Sequence, residues 1–219
     1  LPKNLRLKST DSGVNMLRIQ NDHFRFANKT LFLFAFLVCI NSLSVLGQNQ
    51  EWLSWSNGNN ISSLGIDGNT IWAGTTIGLV KFNRLNGEKE FFTTSNSLLP
   101  SNSINAVSID NLGNIWVGSD KGLSKISGQT ITTFNPSNSG LPSNYILVLY
   151  IDYENNVWIG TEDGGVSKYN GSEWVTYSTE NSGLLSNAIS SIARETNGTV
   201  WFGTPNAGIF SFNGSEWKS

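Results

Sequence analysis

A phrase that returns at a nearly fixed interval constrains this chain more than any single residue does. It reads "TIWAGTTIGLVKF" at 70–82, "NIWVGSDKGLSKI" at 114–126, "NVWIGTEDGGVSKY" at 156–169 and "TVWFGTPNAGIFSF" at 199–212. Trp72, Trp116, Trp158 and Trp201 stand 44, 42 and 43 residues apart, and Gly74, Gly118, Gly160 and Gly203 keep step with them. A second echo lies between the phrases: "SLLPSNSI" at 97–104, "SGLPSNYI" at 139–146 and "SGLLSNAI" at 182–189. Self-similarity at one period means one supersecondary unit stacked on itself, so it has to be settled before any local assignment.

Each unit divides into four short strands, because apolar and small residues alternate over runs of about five and turn residues punctuate them. In the second unit the expected strands are 103–110, 114–119, 122–127 and 130–134. The third and fourth units close their last hairpin with "NGS", at 170–172 and 213–215, and Asn-Gly predicts a tight turn with both residues at positive φ. No stretch sustains a helical period. The fold class expected is therefore all-β, built of about four four-stranded β-propeller blades with units near 61–102, 103–144, 145–187 and 188–219. The Trp of each phrase faces one side of its sheet and its apolar neighbours the other, so these Trp residues are expected in the core. The glycines are expected where the backbone turns sharply or approaches the next sheet.

Residues 1–47 read differently. Lys3, Arg6, Lys8, Arg18, Arg25 and Lys29 precede the apolar run "LFLFAFLVCI" at 31–40, which is too short to span a bilayer, and Val45 and Gly47 are small residues before an expected cleavage. That order is a secretory signal, so residues 48–219 are expected to be exported, to the periplasm or beyond it. The first Met is Met16, where translation is expected to start. The lone cysteine, Cys39, lies in the leader, so the body holds neither a disulfide framework nor a thiol nucleophile.

Charge divides in the same place, since 8 basic residues face 14 acidic ones after residue 47, a net charge of −6. A surface of that sign repels phosphate backbones, and no basic stripe interleaved with aromatics opposes it, so nucleic acid is not an expected partner. Catalysis finds little purchase. The only histidine, His23, is in the leader, which removes nucleophilic triads and His-ligated metals from the body. No phosphate-binding loop or dinucleotide fingerprint appears, and no cofactor is expected. The Asp-containing turns "DNLGN" and "DYENN" fail as calcium loops, with Lys121 at the twelfth position of the first and Val157 where the second needs Gly; Asp turning a hairpin accounts for them better. No metal site is expected.

The units resemble the two-component regulator propeller repeat. That pattern is an Asp-rich turn, then Ile-Trp-hydrophobic-Gly-Thr, a short polar loop, and Gly-Leu followed by an aromatic. "DNLGNIWVGSDKGLSKI" and "DYENNVWIGTEDGGVSKY" carry it almost position by position, and "DGNTIWAGTTIGLVKF" and "ETNGTVWFGTPNAGIFSF" carry it with changes in turn and loop. The resemblance covers 48–219. It implies the exported sensor region of a hybrid two-component regulator, which detects an extracellular ligand such as a carbohydrate fragment and signals through a membrane helix to a histidine kinase. This chain departs from the family in having no kinase and too few blades for the family's usual rings. "EWLSW" at 51–55 duplicates a strand that "SEWKS" at 215–219 begins, and the duplication is expected of a fragment of a larger ring more than of a small closed one. A homodimer is expected if the chain belongs to a full sensor.

Function in such a fold belongs to the loops. Asp120, Lys121, Glu162 and Asp163 occupy equivalent loops between second and third strands, on the face where the long connections carrying Asn144, Tyr145 and Asn187 emerge. These seven are the candidate ligand-binding residues, suited to hydrogen-bonding a small molecule or oligosaccharide. Asn102, Asn144 and Asn187 recur in three successive units, which also suits a turn fixture. Paired carboxylates on one face could in principle cleave a glycoside, and propeller-shaped antibiotic lyases share the Gly-x-x-Trp rhythm but need a histidine that this body lacks. The expected function is therefore ligand sensing, with a stand-alone secreted interaction propeller as the alternative and a lyase or hydrolase third.

Overall fold

The computed structural model describes residues 60–219. It contains sixteen strands in four antiparallel meanders. The first sheet is β1 (Ile61–Asp67), β2 (Thr70–Thr75), β3 (Gly78–Asn83) and β4 (Lys89–Phe92). The second is β5 (Ile104–Ile109), β6 (Ile115–Ser119), β7 (Gly122–Ser127) and β8 (Thr130–Phe134). The third is β9 (Ile146–Ile151), β10 (Val157–Thr161), β11 (Val166–Tyr169) and β12 (Trp174–Tyr177), and the fourth is β13 (Ser191–Arg194), β14 (Val200–Thr204), β15 (Gly208–Phe212) and β16 (Trp217–Lys218). Each strand pairs only with its chain neighbours, and the first strands β1, β5, β9 and β13 pack successively against one another, so the sheets are propeller blades. The leader, its apolar run and "EWLSW" lie outside the described residues.

The second strand is buried on both sides, all five residues of β6 and of β10 being inaccessible. Successive side chains on a strand point to opposite faces. Trp72 and Leu79 of one sheet therefore meet Val107, Ile115, Val117 and Ile126 of the next in one core cluster. Trp116 and Leu123 repeat the contact with Leu149, Val157 and Ile159, and Trp158 and Val166 repeat it with Val200, Phe202 and Phe210. Polar bonds cross the same interfaces: Asn105 Nδ2 donates to the Ile146 carbonyl at 2.9 Å, and Arg194 pairs with Glu154 at 2.7 Å.

Two expectations need correction. Trp201 is 39% exposed, unlike Trp116 at 2%, because no described sheet lies on the outer face of β14. The "NGS" turns are not two-residue hairpins with both residues at positive φ. Gly171 alone is in the left-handed region, at φ 102°, while Asn170 Oδ1 accepts the backbone N–H of Ser172 at 3.0 Å and of Glu173 at 2.8 Å. Asn213 does the same for Ser215 and Glu216, so both act through an Asx turn.

Candidate loop-face binding site

The Asp-rich turns are built from the inside. Asp110 Oδ1 accepts the N–H groups of Leu112 and Asn114 at 3.0 and 2.9 Å, which closes the β5–β6 turn, and Oδ2 accepts the Trp116 indole N–H at 3.0 Å. Asp152 repeats this with Glu154, Asn156 and Trp158, the indole bond being 2.9 Å. Burial alone raises both carboxyls, but the side-chain bonds from the Asn and Trp and the backbone N–H bonds outweigh it and hold both below the ordinary carboxylate value. These carboxylates are engaged in the turn and the core, as Asp turning a hairpin requires. Among the described residues no group of three or more His, Cys, Asp or Glu is placed to hold a metal.

The long connections carry their own fixtures. Ser101, Ser143 and Ser186 each accept the N–H two residues ahead. Asn102 Oδ1 accepts the Thr94 N–H at 2.8 Å, and Asn187 Oδ1 accepts the Thr179 N–H at 2.8 Å. In the second unit the equivalent donor position is Pro136, which has no N–H to give. Asn144 thus occupies the repeated position without the repeated bond.

The seven predicted residues lie on loops of one face but do not form one site. Asp120, Lys121 and Asn144 line a single open cleft of about 510 Å³ together with Asn135, Pro136 and Ser137. Tyr145 and Glu162 are joined through the backbone, the Glu162 N–H donating to the Tyr145 carbonyl at 3.0 Å, and the Gly165 N–H meets the Asn187 carbonyl at 2.8 Å. Tyr145, Glu162, Asp163 and Asn187 lie outside the cleft's lining, and the side chain of Asn187 is committed to its turn. Asp120 Oδ1 is buried and has no hydrogen-bond partner. Sequence reasoning passed over Asn135, Pro136 and Ser137, although a Pro at a position held by Thr in two sibling units was a readable signal.

A second recess lies on the outer face of the fourth sheet, lined by Glu195, Thr199, Trp201, Ser211, Asn213, Glu216 and Lys218. There Ser211 stands opposite Trp201, where the other three units place Lys81, Lys125 and Lys168 over their Trp rings at 5.6, 5.3 and 5.4 Å.

The profile of the family described as "Two component regulator propeller" matches three stretches, 98–121, 140–163 and 183–206, each running from a long connection through the Trp strand into the following loop. No curated relative matches the chain. Among solved structures, the extracellular domain of BT3049, described as a hybrid two component system of B. thetaiotaomicron, is similar with a TM-score of 0.63 and 23% identity over 70% of this chain and 22% of that one. PorZ, a bacterial surface component of the type-IX secretion system of Porphyromonas gingivalis, gives 0.56 and 23% over 70% and 26%. Streptogramin B lyase gives 0.57 at 14% identity over 72% and 53%. At these identities the likeness is one of fold, and the chain spans about a quarter of the length of the first two.

Proposed function

Starting from a chain that carries two-component regulator propeller repeats, we propose that residues 48–219 are the exported, ligand-binding part of a sensor and that the ligand is an extracellular oligosaccharide. The observation that carries this reading is the gathering of Asp120, Lys121 and Asn144 in one open cleft on the face where the long connections emerge. Strands fixed by three repeated interfaces supply a rigid base, and loops on such a base are where specificity varies without cost to the core. The similarity to an extracellular domain described as part of a hybrid two component system supports export and sensing together. We read the body as a binding module rather than a catalyst, because it has neither histidine nor cysteine and its two most deeply bonded carboxylates, Asp110 and Asp152, are engaged in turns. Similarity of fold to a lyase at 14% identity carries no catalytic residue over to this chain.

The test is a binding screen of the full chain against a panel of trisaccharides by calorimetry and thermal shift. Saturable binding with a rise in Tm is the expected result. Flat heats and an unchanged Tm for every sugar, alongside saturable binding of a peptide or protein, would move the protein to the class of secreted interaction propellers.

A further inference from the structure

Resting on that reading, we propose that ligand recognition belongs to the second unit alone, where Pro136 releases Asn144 from its structural duty, and that the group recognised is an uncharged vicinal diol. The repeat itself provides the control. In the first and third units the Asn at this position is tied to the backbone of its own loop by Thr94 or Thr179, both at 2.8 Å. Pro136 deletes that donor in the second unit, and the Asn144 amide there lines the cleft instead. Of the equivalent positions, Thr76 and Pro205 carry no acid, and the carboxylate of the third unit, Glu162, lies outside this cleft. The departure at Pro136 thus meets an acid of the neighbouring loop in one place.

The chemistry of the lining suits such a group. Asp120 brings a carboxylate acceptor, Lys121 brings a cationic donor, and Asn144 brings one of each kind. The terminal torsion of an aspartate is soft, so the carboxylate can turn either oxygen to a ligand. An ammonium ligand would satisfy Asp120 and be repelled by Lys121, and an anion would satisfy Lys121 and be repelled by Asp120. Adjacent neutral hydroxyls satisfy both, one donating to Asp120 while its neighbour accepts from Lys121 and exchanges a bond with Asn144. Asn135 adds no competing acceptor, because its Oδ1 already takes the Ser137 N–H at 2.8 Å and the Ser137 hydroxyl at 2.5 Å.

The decisive variant is Pro136→Thr, which restores the N–H that the sibling units use. With a panel of neutral trisaccharides, each carrying vicinal diols, as the probe, calorimetry on the full chain should show at least a tenfold loss of affinity in Pro136→Thr with no fall in Tm, and a comparable loss in Asp120→Asn. Asn102→Ala, which cuts the tied asparagine of the first unit, should lower Tm and leave affinity within twofold. If the wild type binds a sugar of the panel and Pro136→Thr and Asp120→Asn bind it equally well, the assignment to this cleft is overturned while the sensor reading survives. If a uronic-acid trisaccharide binds at least tenfold more tightly than its neutral counterpart, the uncharged class is overturned. If no neutral trisaccharide binds the wild type, the proposed ligand class falls together with the oligosaccharide reading.

Discussion

At the scale of the residue, the repeated Trp is held from three sides. Asp110 takes the indole N–H of Trp116, Lys125 lies 5.3 Å from its ring centroid, and Phe134 stacks at 6.0 Å. The fourth unit keeps the first contact with a longer acid, Glu195 accepting from Trp201 at 2.7 Å, and drops the Lys for Ser211. Trp116→Phe removes a donor from a buried carboxylate and should cost about 1–3 kcal/mol in urea unfolding. The same bonds make stability depend on acid. Asp110 and Asp152 both titrate below their ordinary value in the folded chain, so the stability they contribute is fully present above about pH 4, where the unfolded carboxyl is ionised, and is lost as pH falls through the folded values. A double Asp110→Asn, Asp152→Asn variant should be less stable than wild type at pH 7 and lose less between pH 5 and pH 2. Urea midpoints across that range decide the matter, and equal losses in the two proteins would show that these carboxyls are not responsible.

At the scale of the element, close approach explains what spacing alone could only suggest. A Cβ on Gly118 would sit 2.5 Å from Ile146 Cγ2 of the next first strand, and one on Gly122, whose φ is 123°, would sit 2.6 Å from the Phe134 carbonyl oxygen. Gly118→Ala should therefore cost about 1–3 kcal/mol as overpacking, and Gly122→Ala at least as much, since backbone cannot yield as a side chain can. Thermal unfolding of the two variants checks the order. Strand order, blade architecture and the alternation of the Trp strand were legible in the sequence because each rests on a pattern repeated four times, which local exceptions do not erase. The Asn-Gly turns were misread because the dipeptide is shared by two turn chemistries, and Asn170 uses its side-chain oxygen rather than its backbone freedom. The site was half legible. Of the unrepeated Lys121, Tyr145 and Glu162 only Lys121 lines the cleft, beside Asp120, whereas Asn144 and Asn187 looked alike until the missing N–H of Pro136 separated them.

At the scale of the whole described domain, the repeat predicts which surfaces are built to be covered. Trp72, Trp116 and Trp158 each pack on the sheet that follows, and Leu79, Leu123 and Val166 stand beside them, fully buried. Their counterparts in the fourth unit, Trp201 and Ile209, are 39% and 61% exposed, although the side chains are the ones a buried interface uses. The same substitution should then have opposite consequences at equivalent positions. Leu123→Ala empties a fully packed site and should cost about 2–5 kcal/mol, whereas Ile209→Ala removes mostly solvated surface and should change stability by less than about 0.5 kcal/mol. Urea unfolding of the two variants measures the difference directly. A large loss in Ile209→Ala would mean that the outer face of β15 is covered in solution, and concentration-dependent unfolding of that variant would identify another protein molecule as the cover, since only intermolecular burial ties stability to protein concentration.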